Sequence, residues 1–539
     1  MSTVQRLTAA VAITVVMTGS TAIAADAYSV SELVGPSAFH GIHGIAVTPE
    51  GKLLVGSVVG QAIYEVDPDT GANSIYIAPP TGMADDIAFA PDGTIAWTGF
   101  LTGKVFLQAP GGPIIEVAKD LPGANSLAFT KDGRLYFTQV FLGDALYEAD
   151  VTGKTPPRKI TEKMGGLNGF EVGADGRIYG PLWFKNAIAA VDPKDGKVEV
   201  IVDGFKTPAA ANFDSKGNLW AIDTQEGALY KIDVKARKRT KVAQLDPALD
   251  NLAIDAKDRI FITNMADNAV YRVDGATGKV TPVVKGKIAA IADIALARGD
   301  DATLHVADVF TYRNVDTKSG VVTTKGRMFG SDIDYPSGVG VGATYVLLAS
   351  ATSNTVQIID RKTGKTISMV HEFKTPVDAA EADGRVLVLE AQTGSLLALE
   401  DMKGTKRKVV ATGFKGPVAM VVDGKGAAFV TSSDGTIMRV ELSSGAKKVV
   451  ASKLAGPEGI DIAPDGRLVV AEVGAKRVVS VDPSTGAVTP IADELAIGLP
   501  SPEGQAPAFL TTGVAVAGDG TIYVAADLTN AVLKIVPAK

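Results

Sequence analysis

The chain has 539 residues, a formal net charge of −7, 21% charged and 46% hydrophobic residues, and no cysteine. Without cysteine, a disulfide framework, thiolate metal sites, iron–sulfur clusters and a cysteine nucleophile are excluded. The mild acidity argues against a nucleic-acid partner, which needs a basic face, while the apolar content suffices for a packed core. All-β domains commonly run about 200–250 residues as one unit, so two of them account for the length.

Residues 1–24 place Arg6 before an apolar stretch from Leu7 to Met17 and end on Ala22-Ile23-Ala24. This is the pattern of a secretory signal peptide, and its apolar run is shorter than the about 20 residues that a membrane span needs. The expected mature protein starts near Ala25, has no membrane span after cleavage, and is periplasmic or secreted.

From there a repeat of about 42 residues runs to the end. Its anchor is a turn dipeptide at Glu50-Gly51, Asp92-Gly93, Asp132-Gly133, Asp175-Gly176 and Lys216-Gly217, with a degenerate copy at Lys257-Asp258. The anchor returns at Asp383-Gly384, Lys425-Gly426, Asp465-Gly466 and Asp519-Gly520, and degenerate copies near Asp300 and Ala343 fill the middle. Each repeat reads as four strands. In the eleventh, Gly459 to Ile462 alternates, Pro464-Asp465-Gly466 turns, and Arg467 to Ala471 runs back. Arg477 to Val481 follows, Asp482 to Gly486 turns, and Ala487 to Ile491 closes the repeat. Period-2 alternation between Asp/Gly/Pro turns marks an antiparallel meander, and meanders at this period are propeller blades.

Twelve repeats exceed the usual four to eight blades of one ring, so the predicted fold is all-β with two tandem six-bladed β-propellers, residues 25–277 and 278–539. The twelfth repeat ends after three strands. The strand-like stretch from Tyr28 to Val34 is expected to complete the sixth blade, leaving Lys279 to Val284 to close the twelfth. Residues 493–508 form an insertion, either a lid or a packing loop between the rings.

Inner strands of a propeller line its channel, and their entry residues point into its mouth. In the first ring those positions hold His43, Asp85, Asn125, Asn168, Ala209 and Asp250, with Asp86 and Asn251 next to two of them. Carboxylates and amide carbonyls are hard oxygen donors suited to Ca²⁺ or another divalent cation. A cation that keeps net positive charge polarises a substrate carbonyl, and His43 on the same rim can serve as general base. The bland reading is that Asp and Asn at strand starts cap turns. Trp97, Phe100, Phe137, Phe141, Trp183 and Phe184 end the second strands, where they either line an apolar pocket or pack between blades. In the second ring the matching positions hold Asp293, Ser337, Asp378, Val418, Glu458 and Thr512. Asp378, Glu458 and Glu472 are its weaker metal-site candidates, with a turn-cap role as the alternative for Glu472. His305 is expected to be packed and His371 exposed. No G-x-S-x-G elbow, P-loop or H-E-x-x-H motif occurs.

His40-Gly41-Ile42-His43-Gly44-Ile45, Leu167-Asn168-Gly169 and Leu249-Asp250-Asn251-Leu252 resemble paraoxonase-type lactonases and the wider SMP-30/gluconolactonase superfamily of six-bladed propellers. The blade repeat is also similar to NHL and virginiamycin B lyase-type propellers. The resemblance implies a channel Ca²⁺, His43 as base, and Asn125, Asn168, Asp250 and Asn251 as ligands. The family's acidic ligand on the first blade has no counterpart here, so Asp85 or Asp86 takes its place. Ala209 on the fifth blade separates two ligand blades that are adjacent in the family. His40, Asp86, Trp97, Phe141 and Trp183 are the expected pocket for a small, partly hydrophobic substrate. The leading expectation is a calcium-dependent lactone or ester hydrolase. The alternatives are a non-catalytic binding propeller and a metal-dependent lyase of the virginiamycin B lyase kind.

Overall fold

The structure is a computed structural model that describes residues 28–505 and 510–538; the expected signal peptide lies outside them. Forty-eight strands form twelve four-stranded antiparallel sheets, and two single-turn 3-10 segments, Trp183–Lys185 and Val473–Ala475, are the helical pieces among the described residues. The first six blades cover residues 42–77, 87–118, 124–162, 171–202, 208–244 and 249–285. The next five cover 294–327, 338–370, 376–412, 417–451 and 457–492. Each blade's first strand is innermost. The inner strand Ile42–Val47 packs against both Ile87–Phe89 and Leu249–Ile254, which closes one ring of six. Ile294–Ala297 packs against both Gly338–Val341 and Val514–Val516, which closes the other.

Closure differs from the sequence expectation. Tyr28–Val34 pairs with Ala531–Pro537, so it completes the twelfth blade and not the sixth. Val280–Lys285 stays in its own sixth blade, paired with Ala269–Val273. The first ring therefore extends to Lys285 rather than ending at residue 277, and residues 28–34 belong to the second. The pairing covers an edge of amides that would otherwise stand open on the twelfth blade.

The anchor turns work as local chemistry demands. Gly93 and Gly133 take φ of +85° and +83°, a region that costs glycine little. Asp92 Oδ1 accepts the Thr94 amide at 2.9 Å, an Asx turn that explains the preference for Asp-Gly. In the degenerate copy Asp258 itself takes the left-handed conformation at φ +60°, and Asp255 Oδ1 accepts the Lys257 and Arg259 amides at 2.9 Å.

A second device joins neighbouring blades. Asp86 accepts the amide of Ile87 at 2.9 Å and that of Leu127 on the next blade at 3.2 Å. Asp293 does the same with Ile294 and Val339, Asp378 with Ala379 and Met420, and Asp461 with Ile462 and Val516. Each carboxyl satisfies a buried donor on two strands that share no sheet hydrogen bonds.

The rings meet through an apolar seam that includes Val59, Ala248, Met265 and Ala266 of the first and Phe310, Met328 and Leu510 of the second. Asn268 donates to Phe39 O at 2.7 Å and accepts the Gly41 amide at 3.0 Å; its counterpart six blades later, Asn530, also donates to Phe39 O at 2.7 Å. The insertion bridges the rings: Gln61 Nε2 donates to Pro500 O at 2.6 Å, and Lys104 pairs with Glu503 at 2.8 Å.

Candidate functional site

The channel-mouth positions share a backbone cause. His43, Asn125, Ala209 and Asp250 each lie inside a register shift where the inner strand leaves its ladder. Such a bulge turns a side chain out of the pleat and toward the axis. The glycines beside them are a packing requirement. A Cβ on Gly44 would stand 2.6 Å from Asp85 O, and one on Gly169 would stand 2.3 Å from Ala210 Cβ. The His-Gly and Asn-Gly pairs therefore mark where adjacent inner strands approach closely.

His43 has one ring nitrogen fixed. Its Nδ1 is 3.0 Å from Gly41 O, which can only accept, so Nδ1 carries the proton and Nε2 keeps a lone pair. Burial lowers its pKa to about 4, so the ring is neutral at pH 7. Thr263 on the sixth blade donates to His43 O, and the imidazole meets the Phe310 ring edge to face at 5.5 Å.

The carboxyls divide into two kinds. Asp86 is committed: besides its two amides it accepts from Asn251 Nδ2 at 2.9 Å, and burial raises its pKa to about 7. The carboxyls of Asp85 and Asp250 have no hydrogen-bond or ion-pair partner among the described residues, and both residues are only partly buried. Burial raises both, and the negative charges around them add to it: Asp250 and Asp86 act on Asp85, and Asp86 acts on Asp250. Unpaired buried carboxyls that repel one another need protons or a cation.

Asn125 and Asn168 are joined through Ser126, whose hydroxyl lies 2.9 Å from Asn125 Oδ1 and 3.0 Å from Asn168 Oδ1. One hydroxyl proton serves one of these acceptors at a time. Asn168 Oδ1 also accepts the Gly169 amide at 2.9 Å, and Asn251 Oδ1 accepts the Leu252 amide at 2.8 Å. Among the described residues no three His, Asp or Glu side chains converge as a metal-ligand group. A cation here would rest on Asp85 and Asp250 together with amide oxygens of Asn125 and Asn168. That donor set suits a hard divalent ion in its chemistry.

The structure does not gather the expected pocket residues in one place. Trp97 is fully buried, stacks on Phe106 at 5.4 Å and donates to Thr81 O, so it is blade core and not pocket wall. Phe137 is likewise buried, stacked on Tyr147. His40 lies in the seam, with Nε2 2.8 Å from Asp527 O and Nδ1 3.4 Å from the Tyr64 hydroxyl, away from substrate reach. Asp86 serves as the blade staple. Phe141 and Trp183 do belong to one exposed aromatic rim. Phe141 meets Phe100, Trp183 and Phe184 at 6.2, 5.2 and 5.7 Å, and Phe141 and Phe184 are 45% and 56% exposed.

In the second ring the matching acids serve the fold. Asp378 is a blade staple, Glu458 accepts the Thr512 amide at 2.6 Å, and Glu472 accepts the Ala455 amide and pairs with Arg477. Glu472, Asp308 and Asp527 repeat one cap at the end of the second strand. His305 is buried against Tyr312 and His371 is exposed.

Sequence reading missed Ser126, which links two expected ligands, and Phe310 and Tyr335, which reach the first ring's mouth from the second. Ser126 was visible as the neighbour of Asn125. Phe310 was visible too, two residues past the end of its blade's second strand as Phe141 and Phe184 are, whereas Tyr335 lies between blades and carries no local signal.

Residues 184–309 match the model of the SMP-30/Gluconolactonase/LRE-like region, and residues 375–489 match that of the outer membrane protein assembly factor BamB. The first match includes Asp250 and Asn251 but not His43, Asp85, Asn125 or Asn168. Among solved structures, a streptogramin B lyase is similar with a TM-score of 0.39 and 17% identity over 52% of this chain and 95% of that one. A chain of a nidogen/laminin complex is similar with a TM-score of 0.39 and 16% identity over 43% of this chain and 91% of that one. Comparison with curated proteins gives no match. The chain is a β-propeller protein, two six-bladed rings in tandem, of which residues 184–309 are similar to the SMP-30/Gluconolactonase/LRE-like region.

Proposed function

We propose that the first ring is a metal-dependent hydrolase of small, partly apolar lactones or esters, exported by its signal peptide to the periplasm or the exterior. The observation that carries this reading is His43, neutral and with Nε2 bare, at the same channel mouth as two unpartnered carboxyls. Asp85, Asp250, Asn125 and Asn168 would hold Ca²⁺ or another divalent ion, which when bound polarises the substrate carbonyl and stabilises the oxyanion. His43 Nε2 accepts a proton from water as it attacks, and the Gly41 carbonyl keeps the other nitrogen protonated throughout. The aromatic rim of Phe100, Phe141, Trp183 and Phe184 offers apolar surface to an alkyl or aryl group. The match of residues 184–309 to a gluconolactonase-containing family supports the same class of chemistry.

The test is metal analysis of the purified mature protein with turnover of a lactone and ester panel before and after chelation. One bound divalent ion per chain, turnover lost on chelation and restored by Ca²⁺, and ¹⁸O from water in the product support the reading. Turnover that survives exhaustive chelation rejects it, and an alkene product assigns elimination instead.

A further inference from the structure

We propose that the second ring supplies the roof of the first ring's site, residues 328–336, and that Tyr335 on this roof is a further substrate-orienting residue. This rests on the site proposed above.

The segment connects the seventh and eighth blades and crosses the first ring's mouth from one side to the other. At its start, Arg327 on the seventh blade donates to Pro247 O at 3.1 Å and to Asp267 of the sixth blade at 2.9 Å. Phe329 then meets Trp183, at the end of the fourth blade's second strand, edge on at 5.8 Å. Ile333 enters the seam core with Met265 and Ala248. Tyr335 packs against Phe310 at 6.1 Å, and Phe310 packs against His43 at 5.5 Å. Fit at that contact is tight: a Cβ on Gly41 would overlap the Phe310 ring, and Gly41 holds φ +63°.

The roof is held in shape. Ser331 accepts the Arg327 amide at 2.9 Å and returns its hydroxyl to Arg327 O at 2.9 Å, and Asp334 accepts from Ser353 at 2.7 Å. Phe329 and Tyr335 both stand in the left-handed region, at φ +62° and +45°, which aromatic residues seldom adopt. Strain of this kind, about 1–3 kcal/mol per residue, persists where the surroundings impose it and collects at ligand sites.

The chemistry at Tyr335 matches the place. Tyr335 is only partly buried. Its phenol is a hydrogen-bond donor at neutral pH, as any tyrosine is, and it stands one ring, Phe310, away from His43. A donor on the roof, opposite a base on the wall, suits the carbonyl or ring oxygen of a small ester or lactone. Phe310 beside it limits the width of the acyl group.

Two arms test this, one independent of activity. The cysteine-free chain permits single thiols to be placed cleanly. In the variant Trp183→Cys/Phe329→Cys, a bifunctional methanethiosulfonate reagent of about the span of the two lost rings is expected to bridge the thiols, seen as a mobility shift that dithiothreitol reverses. In Tyr335→Cys the new thiol is expected to react with methyl methanethiosulfonate but to resist a bulky PEG-maleimide. No cross-link, or equal reaction with both reagents, overturns the roof. In the second arm, Tyr335→Phe is expected to lower kcat/KM about tenfold, the order of loss for one neutral hydrogen bond to substrate. Phe310→Ala is expected to shift preference toward wider acyl groups. If the wild type turns over and both variants match it, the inference falls while the hydrolase reading stands. If the wild type hydrolyses nothing in the panel, the hydrolase reading falls and the thiol arm alone decides whether the roof stands.

Discussion

Asn251 of the sixth blade donates to Asp86 of the second at 2.9 Å, across the inner strand of the first blade. The bridge lies where the first blade carries Gly44, whose missing side chain leaves room for Asp85 and Asp86 to close in. Three blades are thereby locked together beside the two free carboxyls.

Gly44→Ala follows directly. The new methyl would meet backbone at 2.6 and 2.7 Å, where nothing flexible can yield. Overpacking of this kind is expected to lower stability by about 1–3 kcal/mol and to weaken Ca²⁺ binding by displacing Asp85. Urea unfolding and calorimetric titration with Ca²⁺ check it; wild-type values in both reject the close-approach argument.

If the first ring hydrolyses esters or lactones as proposed, His43 is expected to set the acid limb of turnover. With its pKa near 4 and not near 6.5, kcat/KM is expected to stay level as pH falls to about 5 and to drop only around pH 4. His43→Ala is expected to lose about 10²–10⁴-fold in kcat while still binding Ca²⁺. A pH–rate profile that breaks near 6.5 contradicts the buried, neutral imidazole.

Glu458 and Asp293 make the second ring sensitive to alkali. Burial raises Glu458 to about 8 and Asp293 to about 7, so between pH 5 and pH 8 the folded chain holds more protons than the unfolded one. Stability from these groups is full at low pH and is lost as pH rises through that window. Glu458→Gln keeps an acceptor for the Thr512 amide and removes the charge. It is expected to add stability at pH 8 relative to its effect at pH 4, up to about 4 kcal/mol for a rise from 4.5 to about 8, since each tenfold change in proton affinity is worth about 1.4 kcal/mol. Thermal unfolding at the two pH values gives the difference; an identical effect at both refutes it.

Asp378→Ala separates a staple from a ligand. It strands the buried amides of Ala379 and Met420, at about 1–3 kcal/mol each, and is expected to leave Ca²⁺ affinity unchanged. Loss of bound metal without loss of stability would reverse the assignment.

Blade number, blade pitch and both rings were legible because every repeat writes its own turns, Asp-Gly or a left-handed substitute such as Asp258, between alternating strands. Which strand closes which ring was not. Tyr28–Val34 and Val280–Lys285 are both amphipathic outer strands, and their choice of partner depends on which distant segments meet in space. The channel-mouth positions were legible as far as the repeat reached: His43, Asp85 and Asp250 could be placed on the inner strands by counting back from each turn. Counting could not separate Asp85, free, from Asp86, committed to three donors. Nor could it find Tyr335, because a contact between rings leaves no periodic trace. Trp97 misled because it lies inside the second strand, paired with Ile87, where its ring turns into the blade, whereas Phe141 and Phe184 lie beyond the ends of theirs.

Pairing of Tyr28–Val34 with Ala531–Pro537 imposes an order of assembly. The first ring needs only neighbouring blades and can be complete while the rest of the chain is still being made. The second cannot shut until the earliest strand is carried to the last, the longest sequence separation in the molecule and hence a slow step. During that interval the early strand is an open hydrogen-bonding edge. A holdase that covers it, or delivery of the whole chain before folding begins, would decide between yield and aggregation.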